Sequence, residues 1–215
     1  MITLYANQVS NYCAKVRVVL EAKTIAYCVV PPPGGYGSAE YKLLVPMGTI
    51  PAIDHDGVVL SESEAINEYL EEVFPEPRLL YGSAAQRAEQ RSFARFHDLL
   101  LEPPMRALFA DVDPRHRDAE RIAAQTGLFA ERLLRLESLG RFQPFLAGAS
   151  LSLADVAYPA TLRLAELMFS TFGLVFPTTP KIERWRAVLA DLPAVAGPLA
   201  IAEAATRSWI AGKQP

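Results

Sequence analysis

Along the first 74 residues the apolar positions change period several times, and each change marks an element. Residues 2–6, "ITLYA", are a short apolar run of strand length. From 12 to 23, Val16, Val19, Leu20 and Ala22 recur at the spacing of one helix face. "IAYCVV", residues 25–30, is rich in β-formers and stops at "PPPGGYG", a proline and glycine run that predicts a loop. Residues 39–44 suit a short helix. "IPAIDHDGVVLS" holds two β-rich runs around His55, Asp56 and Gly57, the pattern of a hairpin. In "SESEAINEYLEEVF" the residues Ala65, Ile66, Tyr69, Leu70 and Val73 share a face, which predicts an amphipathic helix. The predicted order is β-α-β-α-β-β-α.

At "PEPRLLYGSAAQ" the pattern breaks. Its prolines and Gly82 predict a linker, and Ser83-x-x-Gln86 is a capping box that opens a new helix. No strand pattern follows. Helical stretches run over residues 84–110, 114–139, 153–169 and 181–190. The expected fold is a small α/β unit over residues 1–76, followed by an all-helical unit over 83–215.

Composition narrows the class. The chain has 215 residues, of which 51% are hydrophobic and 21% charged, so it can build a sizeable core and is not expected to be disordered. Its net charge of −3, with no long basic block, argues against a nucleic-acid or membrane-surface partner. Neither a signal peptide nor an apolar run of membrane-spanning length is expected. Two cysteines, Cys13 and Cys28, are too few for a disulfide scaffold, which suits the cytoplasm, and Cys28 reads as a small core residue. His55, His97 and His116 lack ligand spacing, so no metal is expected.

Four stretches carry candidate chemistry. In "GTIPAID" a proline enters a strand pattern. It is either an ordinary trans proline at a strand start or a cis bond that leaves the Ile50 backbone free to pair with an extended peptide. In "LSESEAINEYL", Ser61-x-x-Glu64 reads as a capping box. Alternatively Glu62 and Ser63, at the first helical turn, accept an ammonium and help hold a carboxylate, as an amino-acid head group needs. "SLADVAYPA" reads as a structural capping box from Ser152 to Asp155, opening a buried helix. "LLLEPPMRALFAD" must bend or break at Pro103-Pro104, either as a kinked core helix or to face Met105, Arg106 and Phe109 to a cleft.

"VSNYCAKVRVVL" has the form of C-x-x-C at a helix start, with Ser10 in the first position and Cys13 in the second. Taken in order, this turn, the Ile50-Pro51 step before the hairpin, the Glu62-Ser63 helix start and the helical half resemble a cytosolic glutathione S-transferase of the zeta- or tau-like serine type. "LVPMGTIPAIDHDGVVLSESEAINEYLEE", "LSLADVAYP" and "PKIERWRAVLADLPAV" are the stretches most similar to that family.

The resemblance implies a thioredoxin-like first domain that binds glutathione and an all-helical second domain that supplies the electrophile site. It also implies a homodimer active in detoxification, using glutathione as cosubstrate and a small electrophile as partner. Carried over, Ile50 beside cis-Pro51 pairs with the cysteinyl backbone of glutathione, and Thr49, Glu62 and Ser63 hold its γ-glutamyl end. Lys42 is the candidate for its glycine carboxylate. Tyr12, Met105, Arg106 and Phe109 line the electrophile pocket, and Ser10 is the catalytic group.

A free thiol with pKa about 8.5 is only about 3% ionised at pH 7, and half-ionisation needs about 2 kcal/mol of preference for the anion. A serine hydroxyl donating to the sulfur, with a helix N-terminus behind it, is of that size. One departure limits the carry-over. Zeta-like members that isomerise maleylacetoacetate have two serines before the cysteine and then Trp-Arg-Val-Arg. Asn11, Tyr12, Cys13, Ala14 and Lys15 replace most of that here, so the isomerase activity is not carried over. A glutathione-dependent isomerase or dehalogenase on the same scaffold, or a non-catalytic binding module, is the alternative.

Overall fold

The structure, a computed structural model, describes residues 1–214. Four strands, β1 (Ile2–Tyr5), β2 (Tyr27–Val30), β3 (Ala52–His55) and β4 (Val58–Ser61), form one sheet in the order β2-β1-β3-β4. Strands β1 and β2 are parallel, so the chain must cross over between them, and α1 (Asn11–Ala22) is that crossover. The β3–β4 pair is the expected hairpin. Helices α2 (Ala39–Leu44) and α3 (Ser63–Val73) complete the order β-α-β-α-β-β-α read from the sequence.

Alternation along the strands sorts side chains into two layers. Ile2, Leu4 and Ile53 meet Val16 and Leu20 of α1 and Ile66 and Leu70 of α3. Tyr5 and Ala52, on the opposite face, pack with Tyr41 and Val45, the Tyr5 and Tyr41 rings 5.8 Å apart. The buried stripe of α3 is narrower than expected: Ser63, Ile66, Asn67 and Leu70 are inside, while Ala65 and Val73 are exposed. Polar residues hold half of that stripe, so counting apolar side chains rotated the face. Cys28 is half-buried on the outer strand β2, its Sγ 3.5 Å from the Thr3 hydroxyl, and is not a core residue.

The helical half contains α4 (Ala84–Phe96), α5 (Glu102–Arg106), α6 (Ala119–Leu139), α7 (Tyr158–Thr171), α8 (Pro180–Ala190) and α9 (Pro193–Ala211). The Ser83–Gln86 capping box forms with both of its hydrogen bonds. Helix α9 lies beyond the helical stretches expected from the sequence, which end at residue 190, and it contains Pro193, Gly197 and Pro198, residues that disfavour a helix interior. Pro193, however, takes the first turn of the helix, where no N–H is needed. Between Ser152 and Asp155 only half of the expected capping box forms: the Ser152 N–H and hydroxyl both donate to the Asp155 carboxylate, while the Asp155 N–H goes to the Ser152 carbonyl, and α7 itself begins only at Tyr158.

The two halves share a buried seam. Leu153, Val156 and Val195 belong to the same cluster as the sheet residues, and Ala14 of α1 meets Ala160 and Ala202 where three helices approach closely. The expected linker is also held down. The Lys23 ammonium donates to the carbonyls of Phe74 (2.7 Å) and Pro77 (2.9 Å) and pairs with Glu71 at 2.7 Å. The Glu71 carboxylate in turn accepts from the N–H groups of Leu79 and Leu80. Among the described residues no single helix is long and apolar enough to cross a membrane.

Candidate functional site

Ser10 caps α1 from an extended conformation (φ −74°, ψ 117°), and its hydroxyl oxygen accepts the Cys13 N–H at 3.2 Å. Accepting that bond leaves the hydroxyl proton available to a group outside, while the free N–H groups of the helix start add positive potential. Ser10 is half-buried and lines a cavity of about 250 Å³. Cys13 lies behind it with no exposed surface, and burial pushes its thiol above the ordinary value. A buried thiol with a raised pKa is a poor nucleophile, and of the two side chains it is Ser10 that faces the cavity.

Next to it a larger cavity, about 510 Å³, brings together Thr49, Ile50, Pro51, Glu62 and Ser63. The Ile50–Pro51 bond is cis. Tyr41 donates its hydroxyl to the Thr49 carbonyl at 2.9 Å and so ties this loop to α2. The Thr49 hydroxyl is buried without a partner. Ser63 is the first residue of α3, and Glu62 caps it from a positive φ of 72° with no side-chain capping bond. A non-glycine residue held there is strained by about 1–3 kcal/mol, a feature that clusters at ligand sites.

The capping box expected from Ser61 to Glu64 does not form. Ser61 ends β4, and Glu64 turns instead to the Lys15 ammonium, 2.6 Å away. Lys15, fully buried, also holds Asp98 at 3.0 Å, and Asp98 accepts from or shares a proton with His97 Nδ1 at 2.8 Å. Burial pushes Glu64 up, with Lys15 opposing it, whereas for Asp98 the His97 and Lys15 contacts outweigh burial and hold it down. Nothing in the period of α1 marked Lys15, which reads as one more polar residue on a helix. Lys42 is exposed on α2, its stem against Gly48, and lines neither cavity.

The second wall comes from the helical half. Pro103-Pro104 neither breaks nor sharply ends the helix. The preceding residues His97–Leu101 widen into a π turn, in which Glu102 N–H reaches back five residues to the His97 carbonyl. The prolines then occupy the first turn of α5, where their missing N–H groups cost least. Met105, expected in the cleft, is instead fully buried in the helical core. Arg106, one position and about 100° further round the helix, faces out and lines both cavities.

Glu102, 1% exposed, is the hub of this wall. It accepts from Arg106 Nη2 (2.6 Å) and Nε (3.2 Å), from the Tyr12 hydroxyl (3.2 Å) and from Asn11 Nδ2 (3.4 Å). The Tyr12 phenol is therefore committed, and burial, with Glu102 and Asp98 close by, holds its proton on well above the ordinary range. Its ring serves as a wall. Phe109 lies 5.3 Å from Trp209 of α9, and both line the smaller cavity. Trp209, Tyr36 and Glu102 are site residues that the sequence reading missed. Tyr12, Tyr36, Ile50 and Arg106 line both cavities and mark where they join. Among the described residues no group of acidic, histidine or cysteine side chains is placed to hold a metal ion.

Residues 4–78 match the family model for the glutathione S-transferase N-terminal domain. A maleylacetoacetate isomerase from Pseudomonas aeruginosa is 31% identical over 198 residues, spanning 88% of this chain and 89% of that protein. A glutathione S-transferase from Pseudomonas putida is 29% identical over 171 residues, 77% and 75% of the two chains. Among solved structures, the theta class glutathione S-transferase from the citrus canker pathogen Xanthomonas axonopodis pv. citri, with glutathione bound, aligns with a TM-score of 0.78. It is 26% identical and covers 92% of this chain and 96% of that one.

Proposed function

Because the chain belongs to the glutathione S-transferase family, we propose that it ionises the thiol of glutathione against Ser10 and directs the thiolate at the carbon of a small electrophile. The observation that carries this reading is the join of the two cavities at the start of α1. The larger cavity takes the tripeptide. Ile50, whose N–H and C=O form no hydrogen bond among the described residues, offers them to the cysteinyl backbone. Glu62 meets the α-amino group, and Ser63 with the first N–H groups of α3 meets the α-carboxylate. Thr49, with its unpartnered hydroxyl, completes the γ-glutamyl end. The sulfur then lies at the join, within the field of the α1 N-terminus. Its proton leaves to solvent, the Ser10 hydroxyl donates to the thiolate, and the new C–S bond forms in the smaller cavity.

On this reading residues 1–76 hold glutathione and residues 83–215 hold the electrophile. The enzyme is placed in the cytoplasm as a detoxifying homodimer. Free cysteines support the reducing compartment, and the exposed Leu99 and Leu100 beside the larger cavity support a partner surface. Retention on immobilised glutathione together with conjugation of 1-chloro-2,4-dinitrobenzene tests the function. A folded protein that does neither would be a binding module for something else.

Ser63→Ala should weaken glutathione binding by about 1–3 kcal/mol, the usual loss for one hydrogen bond to a charged group. Because Ser63 makes no capping bond, the melting temperature should move little. Titration calorimetry reads the affinity, and an unchanged value would remove Ser63 from the glutathione site.

A further inference from the structure

The smaller cavity has an electrostatic character that the conjugation reading does not require. No acidic side chain lines it, and its one charged lining residue is Arg106, whose side chain is 52% exposed. Glu102 binds the Nε and one Nη2 proton of that guanidinium. A guanidinium has five N–H donors. Three remain, the second on Nη2 and the pair on Nη1, and they form a second fork of the kind that matches a planar carboxylate. Glu102 also accepts from Tyr12 and Asn11, so the pair is held in place with the outer edge of the guanidinium left open.

The walls around this fork are flat. Arg106 lies 5.2 Å from the Tyr12 ring centre and 5.7 Å from that of Phe109, and Phe109 leans on Trp209. At about 250 Å³ the cavity is below the usual range of about 300–1,000 Å³ for drug-sized ligands, so its occupant is small.

From these features we infer that the electrophile is a small aromatic or conjugated molecule bearing a carboxylate, anchored by the free fork of Arg106, and that Arg106 selects anionic over neutral electrophiles. This inference rests on the conjugation reading and names its substrate class. With 4-chloro-3-nitrobenzoate as probe, the glutathione thiolate bonds to the ring carbon bearing chlorine, chloride leaves with the C–Cl electron pair, and the thiol proton passes to solvent. The ring carboxylate stays on Arg106 throughout.

The test separates binding from turnover by using the finished conjugates. S-(4-carboxy-2-nitrophenyl)glutathione and S-(4-carbamoyl-2-nitrophenyl)glutathione differ only in charge at the ring. The native protein should bind the acid about tenfold or more tightly than the amide, as a charge-assisted pair implies. Arg106→Gln should bring that ratio close to one, and Arg106→Lys should retain part of it. Since Arg106→Gln leaves Glu102 buried without its cation, Glu102→Gln with Arg106→Gln is measured as well, and circular dichroism confirms the fold of whichever variant is used. Equal affinity of the native protein for acid and amide overturns the inference while leaving the glutathione site intact. A preference that survives in the glutamine variants overturns the role of Arg106. Binding of neither conjugate by the folded native protein removes the conjugation reading, and the inference with it.

Discussion

Asp155→Ala is expected to destabilise the protein by about 4 kcal/mol, a drop of roughly 8–16 °C in melting temperature for a chain of this size. The carboxylate is completely buried and accepts four hydrogen bonds: from the N–H groups of Leu146 (2.8 Å) and Ser152 (3.2 Å), the Ser152 hydroxyl (3.0 Å) and the Trp185 indole (3.0 Å). These donors come from the 141–148 loop, the turn before α7, and α8, so one side chain ties three segments together. Each buried donor left unpaired costs about 1–3 kcal/mol, and a water entering the vacated space recovers part of that total. The consequences extend beyond the turn. Trp185 packs on Tyr158, whose ring lies 5.1 Å from His97 at the head of the π turn that carries Glu102. A variant melting within about 2 °C of the native protein by calorimetry would show that the four bonds are not what holds this corner.

The same residue has a pH signature. Burial pushes the Asp155 carboxyl from its ordinary 3.8 up to about 6, against the pull of its four donors. A raised folded-state value means that the folded form takes up the proton more readily than the unfolded one. The contribution is present in full below about pH 4 and is lost as pH rises through 6. The margin of the native protein over Asp155→Asn, which does not titrate, should therefore shrink between pH 4 and pH 7, by up to about 3 kcal/mol for a shift of about two units. A margin that grows with pH over that window would mean that the donors keep the carboxylate ionised.

What the chain disclosed in advance follows from which features are local. The hairpin around Asp56 and Gly57 and the helix at Ala39–Leu44 were legible because turn chemistry and short-range period decide them. Ser10, Glu62 and Ser63 were legible as a pattern, since a cap and a helix start are set by adjacent residues. The second wall was not. Whether Met105 or Arg106 faces the cleft depends on the phase of α5, and the π turn before it shifts that phase by one extra residue. The Glu102 hub and the Lys15 bridge join residues up to 91 positions apart, and no sequence period encodes such a meeting. Helix α9 was hidden by its own prolines and glycine, and Trp209 was lost with it. The wall built from the starts of α1 and α3 could therefore be read from motifs, while the wall facing it needed packing.

Ser10→Ala should lower kcat/KM for conjugation about 10- to 100-fold, the loss of a hydrogen bond to an ionised group, while glutathione affinity stays nearly intact. On the proposed reading the tripeptide is held by several other groups. The pH–rate profile should move upward by about one to two units, because the thiol loses a donor that favours its anion. Stability should fall by about 1 kcal/mol, since the same oxygen caps α1 by accepting the Cys13 N–H. Ser10→Cys separates the chemical role from the capping role. It puts a thiol at a helix N-terminus, where the anion is favoured, in a Cys-x-x-Cys spacing with Cys13. That thiolate should attack the disulfide of oxidised glutathione, forming a mixed disulfide and releasing one reduced glutathione. Cys13, without exposed surface and with its thiol pushed up by burial, is a poor resolving group, so the adduct should persist. Cys13→Ser should leave conjugation almost unchanged for the same reason. Mass spectrometry of Ser10→Cys after treatment with oxidised glutathione reads the adduct directly. If no adduct of glutathione mass forms, or if Ser10→Ala conjugates at the native rate, the sulfur does not sit at Ser10, and this residue is only the cap of its helix.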